Sequence, residues 1–179
     1  MIRLFVAFPI PEDLNGIISS VTSGLAGARW VKPESYHLTL RFVGSIDHDI
    51  ADDLDLALSR IDVPPMELKI DGLGFFQKRE LVNNLHIRIK KTEELERLQK
   101  KIEAVCVRLG LKAEERKFTP HITLARLKGI ATENIEDFIA ERNLGEGISF
   151  IADSFILYSS YLSGEGAVYT AEVEYGLKV

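Results

Sequence analysis

The 179-residue sequence is poor in the residues that identify several classes of protein. Its single cysteine, Cys106, excludes a disulfide within the chain and removes any need for an oxidising compartment. Cys106 stands in a helical pattern of apolar residues, which indicates a core thiol rather than a nucleophile. No stretch approaches the roughly 20 apolar residues of a membrane span. The N-terminus lacks the length and the cleavage site of a secretory signal, so we expect a cytoplasmic protein.

Positive charge is also scarce, since 22 lysines and arginines face 27 acidic residues and the formal net charge is -5. Binding of nucleic acid along an extended surface requires many contacts between cationic side chains and phosphates. The composition therefore argues against that class of protein. Any RNA partner is expected to be bound locally, at one end of the strand.

Two of the four histidines begin the same motif, since residues 37–40 read HLTL and residues 121–124 read HITL. Both motifs stand in runs that are typical of β-strands. Successive side chains of a strand point to opposite faces. His37 therefore shares a face with Thr39, and His121 shares one with Thr123. One such motif arises easily by chance, whereas two copies in the same context favour a functional pair.

Paired histidines and threonines suit chemistry at a phosphorus atom. The histidine pKa lies near 6.5, so at neutral pH one imidazole can accept a proton while the other donates one. Threonine hydroxyl groups can donate hydrogen bonds to phosphoryl oxygens. A zinc site on His37 and His121 is the less favoured alternative, because catalytic zinc generally needs a third protein ligand and the chain has no HxxxH, CxxC or HExxH spacing. We expect neither a metal nor a cofactor.

Apolar periodicity and turn residues predict alternating strands and helices. Strands are predicted at 2–8, 66–73, 85–90, 148–160 and 168–177, and in the two runs that begin at the motif histidines. Helices are predicted at 11–25, 49–60, 92–109 and 132–143, the last two capped by Thr92 and Thr132. The stretch between the strands at 66–73 and 85–90 is predicted to form a loop, which is marked by Gly72, Gly74 and the polar run at 77–80.

Each motif strand follows a proline and precedes a predicted helix, which suggests two similar lobes. No low-complexity linker divides them, so residues 1–179 are expected to form a single two-lobed domain of the α+β class, and a monomer. The lobes are expected to contain antiparallel sheets flanked by helices. If the two sheets face each other, the two His-Thr faces converge on a central groove.

The sequence resembles the 2H phosphoesterase superfamily, which is named for two HxT motifs. Two segments carry the resemblance, WVKPESYHLTLRFVG at 30–44 and FTPHITLARL at 118–127. The most similar branch is the RNA 2′,3′-cyclic phosphodiesterase family, also called 2′-5′ RNA ligase. The first strand and residues 160–177 are similar as well, so the resemblance spans nearly the whole chain.

This resemblance implies a bilobal fold, two antiparallel sheets related by pseudo-twofold symmetry, with a phosphate site in the groove between them. It implies metal-independent hydrolysis of an RNA or nucleotide 2′,3′-cyclic phosphate to a 2′-phosphate, with reverse 2′-5′ ligation as a secondary activity. His121 would be the general base and His37 the general acid, or the reverse. Thr39 and Thr123 would hold the non-bridging oxygens. The substrate would be an RNA 3′ end or a small cyclic nucleotide.

Several basic and aromatic residues are weaker candidates for the site. Arg126 matches an arginine that the family places at the phosphate, but strand parity sets it opposite His121 unless a bulge intervenes. Arg41 has the parity of His37 and could face the groove. Arg116 and Lys117 precede the second motif, but neighbouring glutamates indicate a surface charge cluster. Two aromatic residues either stack on a base or pack in the core, namely Phe76 and Tyr169.

One stretch departs from the family pattern. Many relatives carry a Pro-Arg pair and then a tryptophan where residues 82–86 of this chain read VNNLH. Strand alternation places His86 and Arg88 on the face opposite the apolar residues. The departure bears on substrate preference rather than on catalysis, because both HxT motifs are intact.

The residues leave two other functions open. A non-catalytic nucleotide- or RNA-binding module would bind its ligand without turnover. A two-histidine enzyme of the same superfamily would instead act on ADP-ribose cyclic phosphate or on 2′-5′-linked oligonucleotides. The groove and its loops, rather than the motifs, would choose among these substrates.

Overall fold

The computed structural model describes residues 1–142, 144 and 147–178. Its strands are β1 (Ile2–Pro9), β2 (Ala28–Trp30), β3 (His37–Ile46), β4 (Met66–Lys78), β5 (Leu81–Ile89), β6 (His121–Ala131), β7 (Ser149–Ala152), β8 (Ser154–Ser163) and β9 (Gly166–Gly176). Its α-helices are α1 (Asn15–Ser19), α2 (His48–Leu58), α3 (Glu93–Arg108) and α4 (Thr132–Ala140). Among the described residues, none of the helices combines the length and the apolar character that crossing a bilayer requires.

The strands form one antiparallel sheet in the order β7-β4-β5-β6-β3-β1-β8-β9, with β2 beside β6. The two motif strands, β3 and β6, are central neighbours that pair through Leu38 and Ile122. One half of the sheet contains β1, β3, β8 and β9, and the other contains β4, β5, β6 and β7. The two antiparallel sheets expected from the sequence are therefore the two halves of a continuous sheet, joined at the motif strands.

The two halves have the same local connectivity around the motif strands. In one half β1 leads through α1 and the short β2 to β3, with which β1 pairs, and in the other β5 leads through α3 to β6, with which β5 pairs. A strand, a helix and a pairing strand are thus used twice. This repetition agrees with the two similar lobes that the motif spacing predicts.

Apolar residues of both motif strands lie in the main core. Leu38, Leu40, Ile122 and Leu124 are almost completely buried there. The apolar stripe predicted for α3 is buried in the same core, and it includes Cys106. Burial raises the pKa of the Cys106 thiol to about 11, so this cysteine is a core thiol, as predicted. Burial of one leucine or isoleucine stabilises a fold by roughly 1.5–3 kcal/mol, so the core anchors both motif strands.

The predicted helix at 11–25 forms only in its first half: a 3-10 turn at Glu12–Leu14 leads directly into α1, which ends at Ser19. Hydroxyl groups after the first turns donate to backbone carbonyls, with Ser20 Oγ bonded to Ile17 O at 2.6 Å and Thr22 Oγ1 bonded to Ser19 O at 3.1 Å. Such side-chain bonds compete with continued helix. Gly24 then adopts a φ of 76°, which does not belong to a right-handed helix.

The other long helices agree with prediction except at one end of α4. Thr92 caps α3, since its side chain accepts a hydrogen bond from Leu95 N at 3.2 Å. Thr132 is the first residue of α4 rather than its cap. Its Oγ1 lies 3.1 Å from Gln77 Oε1 and 3.1 Å from Glu80 O, so it links α4 to the β4–β5 turn. The predicted end of this helix at Asn143 lies outside the described residues.

Two strand predictions are corrected by pairing between distant segments. β4 continues to Lys78 and β5 begins at Leu81, so the loop predicted between residues 73 and 85 is instead a tight hairpin, in whose turn Arg79 has a φ of 60°. The run predicted at 148–160 is two strands that divide at Asp153. β7 pairs with β4 and β8 pairs with β1, so the chain crosses here from one half of the sheet to the other.

Candidate active site

The motif residues lie together where β3 and β6 meet. His37 and His121 are the first residues of their strands, and each is half-buried, as is the threonine two positions on. Leu38 and Ile122 lie between them on the opposite face and are completely buried. The pairing of these two apolar residues sets the two His-Thr faces side by side.

The two imidazoles are held in the same way. His37 Nδ1 donates to Ser35 O at 2.8 Å, and His121 Nδ1 donates to Thr119 O at 2.6 Å. A carbonyl oxygen can only accept, so Nδ1 carries the hydrogen in both rings. Nε2 is then the nitrogen of each ring that can accept a proton or, once protonated, give one away.

The environment lowers the pKa of both histidines. Burial is the main cause in each case, and the bond from Nδ1 to a backbone carbonyl opposes it. For His37 the charges of His121 and Arg126 lower the pKa further. His121 and Arg126 are therefore close enough to His37 for their charges to act on it.

Arg126 reaches this face because β6 contains one extra residue. Two successive residues of β5 pair with Thr123 and Ala125, so Leu124 has no partner of its own. This β-bulge shifts the alternation by one residue. Leu124 and Ala125 are both buried, and Arg126 is exposed on the face that carries Thr123. The bulge that simple strand parity demanded of Arg126 is thus present.

An equivalent bulge in β3 has the opposite effect on Arg41. Two successive residues of β1 pair with Thr39 and Arg41, which leaves Leu40 unpaired. Leu40 and Arg41 are both buried, and Phe42 is the next exposed side chain, at 53%. Arg41 forms an ion pair with Glu103 of α3. The expectation that Arg41 could face the groove is therefore wrong.

An aromatic ring lies edge-on to each motif histidine. Tyr169 is 5.2 Å from the His37 ring centre, and Phe76 is 4.8 Å from that of His121. A second ring lies beside each imidazole, Phe5 at 5.0 Å from His37 and His86 at 4.9 Å from His121. Phe76 and Tyr169, the two aromatic candidates from the sequence, thus pack against the histidines of the site.

His86 forms a polar chain that ends on the second motif. Its Nδ1 lies 2.8 Å from Asn84 Oδ1, and Asn84 Nδ2 donates to Thr123 Oγ1 at 3.2 Å. His86 is only 2% exposed, and burial together with the charges of His121 and Arg88 lowers its pKa to about 3. His86 is therefore neutral at physiological pH. The sequence pattern indicates His86 but not Asn84, although strand alternation places both on the same face.

The remaining charged groups near the second motif lie at the surface. Arg116 is paired with Glu114, which lowers the pKa of that carboxyl to about 2, as a surface charge cluster would. Lys117 beside it is exposed. In the part of the chain that the structure describes, no group of three His, Cys, Asp or Glu side chains is arranged to hold a metal ion.

Comparisons with known proteins agree with this geometry. The model of the family described as LigT like Phosphoesterase matches residues 5–85 and 87–169, and each segment contains one HxT motif. The chain is 29% identical to an RNA 2′,3′-cyclic phosphodiesterase of Bacillus subtilis over 89% of this chain and 88% of that one. It is also 29% identical to a protein of the same name from Methanocaldococcus jannaschii, over 93% and 96%.

Solved structures show the same fold. The crystal structure of E. coli LigT in apo form superposes with a TM-score of 0.81 at 26% identity, covering 99% of this chain and 98% of LigT. The crystal structure of E. coli LigT complexed with 3′-AMP also superposes with a TM-score of 0.81 at 26% identity, over 98% of each chain. The curled antiparallel sheet with its flanking helices is thus the fold of LigT.

The neutral state of His86 makes the stability of the protein depend on pH. The unfolded chain binds a proton at this residue below pH 6.5, whereas the folded chain does so only near pH 3. Stability is therefore lost as the pH falls through this window, by about 1.4 kcal/mol per unit. We expect the free energy of unfolding to fall by about 2 kcal/mol more between pH 7 and pH 5 in the wild type than in His86→Gln.

Urea denaturation of both proteins at the two pH values measures this difference. His48→Gln is the matched control, because His48 is an exposed histidine at the start of α2. This control should follow the wild type. If the free energy of unfolding changed equally with pH in the wild type and in His86→Gln, His86 would be protonated as easily in the folded chain as in the unfolded one.

Proposed function

This chain belongs to the LigT-like phosphoesterase family, and we propose that it hydrolyses ribose 2′,3′-cyclic phosphates, at RNA 3′ ends or on nucleotides, to 2′-phosphates. The observation that carries the proposal is the matched pair of imidazoles. His37 and His121 each donate Nδ1–H to a backbone carbonyl and so keep Nε2 for proton transfer. Both come from one chain, so a monomer is sufficient.

In the proposed reaction a water molecule attacks phosphorus and the bond from phosphorus to the 3′ oxygen breaks. One imidazole takes a proton from the water at Nε2, and the other gives its Nε2 proton to the 3′ oxygen. The products are a free 3′ hydroxyl and a 2′-phosphate. The base then loses its proton to solvent and the acid takes one up from solvent, which restores both imidazoles. Because the imidazoles carry both protons, the proposal requires no metal.

Three other side chains stabilise the charge on the phosphoryl oxygens in this proposal. Thr39 and Thr123 donate from the two halves of the sheet, and Arg126 supplies a positive charge from β6. The equivalent position of β3, also next to a bulge, holds Phe42. The cationic side of the groove is therefore the β6 side, and the anionic oxygens of the phosphate are drawn toward it.

Replacement of either motif histidine tests the proposal. His37→Ala and His121→Ala should each lower turnover of a 2′,3′-cyclic nucleotide by about 10²- to 10⁴-fold, because each removes one proton-transfer group. Product separation by chromatography measures both the rate and the position of the phosphate. His48→Ala, which changes an exposed histidine outside the groove, should keep full activity. Near-normal turnover in either motif variant, or a 3′-phosphate product, would contradict the proposal.

A sulfur-substituted substrate assigns the two roles. Following the sequence-based assignment, His121 is the base and His37 the acid. A thiolate leaves without protonation, so a cyclic substrate with sulfur in place of the bridging 3′ oxygen makes the acid unnecessary. The activity that His37→Ala removes should return on this substrate, measured as thiol release, whereas His121→Ala should stay slow. Rescue of His121→Ala instead would exchange the two roles.

The hydrogen bonds from His86 through Asn84 end on the hydroxyl of Thr123 and are proposed to orient it. Neutral His86 has a proton to donate at Nδ1, and Asn84 Oδ1 accepts it, so the amide nitrogen of Asn84 points to Thr123. A hydroxyl that accepts from Asn84 keeps its own hydrogen for a phosphoryl oxygen. Thr39, in contrast, lies opposite Ala7 of β1, which has no polar side-chain atom. Asn84 is thus proposed to position Thr123 alone.

A double-mutant cycle tests the role of Asn84. One neutral hydrogen bond contributes about 0.5–1.5 kcal/mol, so Asn84→Ala should lower kcat by roughly two- to tenfold. In a Thr123→Val background Asn84→Ala should have no further effect, because the group it positions is gone. In a Thr39→Val background it should keep its full effect. Equal effects of Asn84→Ala in both backgrounds would mean that it does not act through Thr123.

A further inference from the structure

A cleft of about 770 Å³ lies next to the β6 side of the site. Phe76 and His86, the rings that pack against His121, form part of its wall, and so does Thr119, whose carbonyl holds the His121 ring. The cleft continues from there between β4, β5 and α4. A ligand bound at the two histidines could therefore extend into it.

The charge of this cleft is opposite to that of the chain. Four of the residues that line it are basic, namely Arg88, Lys90, Lys91 and Lys117, against the two acidic residues Asp71 and Glu136. The whole chain has a formal net charge of -5. Positive charge is thus concentrated beside the site, although the protein as a whole is negatively charged.

Two of these cations are available to a ligand. Lys91 is paired with Glu96 at 3.0 Å, and Arg88 Nε donates to Asp71 O at 2.8 Å. Lys90 and Lys117 are exposed and form no ion pair within the described part of the chain. Lys90 lies shortly before α3 and Lys117 shortly before β6, and both line the cleft.

The rest of the lining is largely apolar and partly aromatic. It includes Phe75, Phe76 and Phe118 together with Leu73 and Ile139. Cationic side chains that follow a backbone, combined with aromatic rings on which bases pack, are the features of sites for single-stranded nucleic acid. An acidic peptide could pair with the lysines, but its carboxylates would make no favourable contact with the aromatic rings.

We propose that this cleft binds the RNA strand on the 5′ side of the cyclic end, with Lys90 and Lys117 at its phosphates. The inference rests on the proposed function and adds to it the residues that bind the strand beyond its cyclic end. A cyclic mononucleotide occupies the two-histidine groove and has no phosphate that reaches the cleft. The enzyme therefore distinguishes a strand from a mononucleotide here, away from the reacting atoms.

The test compares two substrates in one charge-reversed variant. In Lys90→Glu/Lys117→Glu, kcat/KM for a cyclic-ended RNA of about five nucleotides should fall roughly tenfold or more, since two ion pairs worth up to about 1 kcal/mol each become repulsive. The value for 2′,3′-cyclic AMP should not change. The salt dependence of RNA turnover should also weaken, by a slope of about 0.7 for each phosphate that the variant no longer neutralises.

A matched control separates the cleft from net charge. Lys112→Glu/Lys178→Glu changes the net charge equally, and both lysines are exposed and lie outside the cleft. This variant should turn over RNA at nearly the wild-type rate. An equal loss in both double variants, an equal loss on both substrates, or no loss on RNA would each overturn the proposal.

Direct binding distinguishes a failure of the cleft from a failure of the proposed chemistry. A fluorescent five-nucleotide RNA with a 3′-terminal phosphate is titrated with the wild type and with Lys90→Glu/Lys117→Glu, and its anisotropy is measured. Weaker binding to the variant supports the cleft even if neither protein turns over a cyclic phosphate. Equal binding overturns the cleft proposal, whatever the activity on cyclic AMP.

Discussion

The backbone pairing between β3 and β6 is the contact on which the rest of the site depends. It joins two half-sheets, one built from both ends of the chain and one from its middle. Leu38 and Ile122 are completely buried at the junction, so a slip of one residue would turn the histidines into the core and these two apolar residues into the groove. The hydrophobic core therefore holds the two imidazoles next to each other.

Departures from regular strand geometry then govern which polar groups reach the groove. The bulge at Leu124 turns Arg126 toward the site, and the equivalent bulge at Leu40 turns Arg41 into the core, where it pairs with Glu103. The two bulges have opposite results because Arg41 directly follows the unpaired residue of β3, whereas Arg126 is the second residue after the unpaired residue of β6. The twofold framework thus carries an asymmetric charge, which in the proposed function gives a bound phosphate a preferred orientation.

The hydrogen-bonded chain of His86 and Asn84 on β5 is also unusual, because it places a polar ring in a buried position. A buried histidine is tolerated here because it stays neutral and Asn84 accepts its hydrogen. The aromatic ring of Phe76 packs against both His86 and His121 and also lines the adjoining cleft. The same few side chains of β4 and β5 therefore contribute to the pH dependence of stability, to the hydrogen bond with Thr123 and to the wall of the cleft.

The class of fold and the expected chemistry could be predicted from local sequence patterns. The repeated HxT alternation, the stripe of α3 and the core position of Cys106 follow from local periodicity, and local periodicity is set by which side chains avoid water. Only the folded chain shows the length of α1, the division at Asp153, the directions of Arg41 and Arg126, and the contact of Asn84 with Thr123. Each of these depends on hydrogen bonds to a partner strand or a distant side chain, and the register of such pairing is not encoded in any single stretch of the chain.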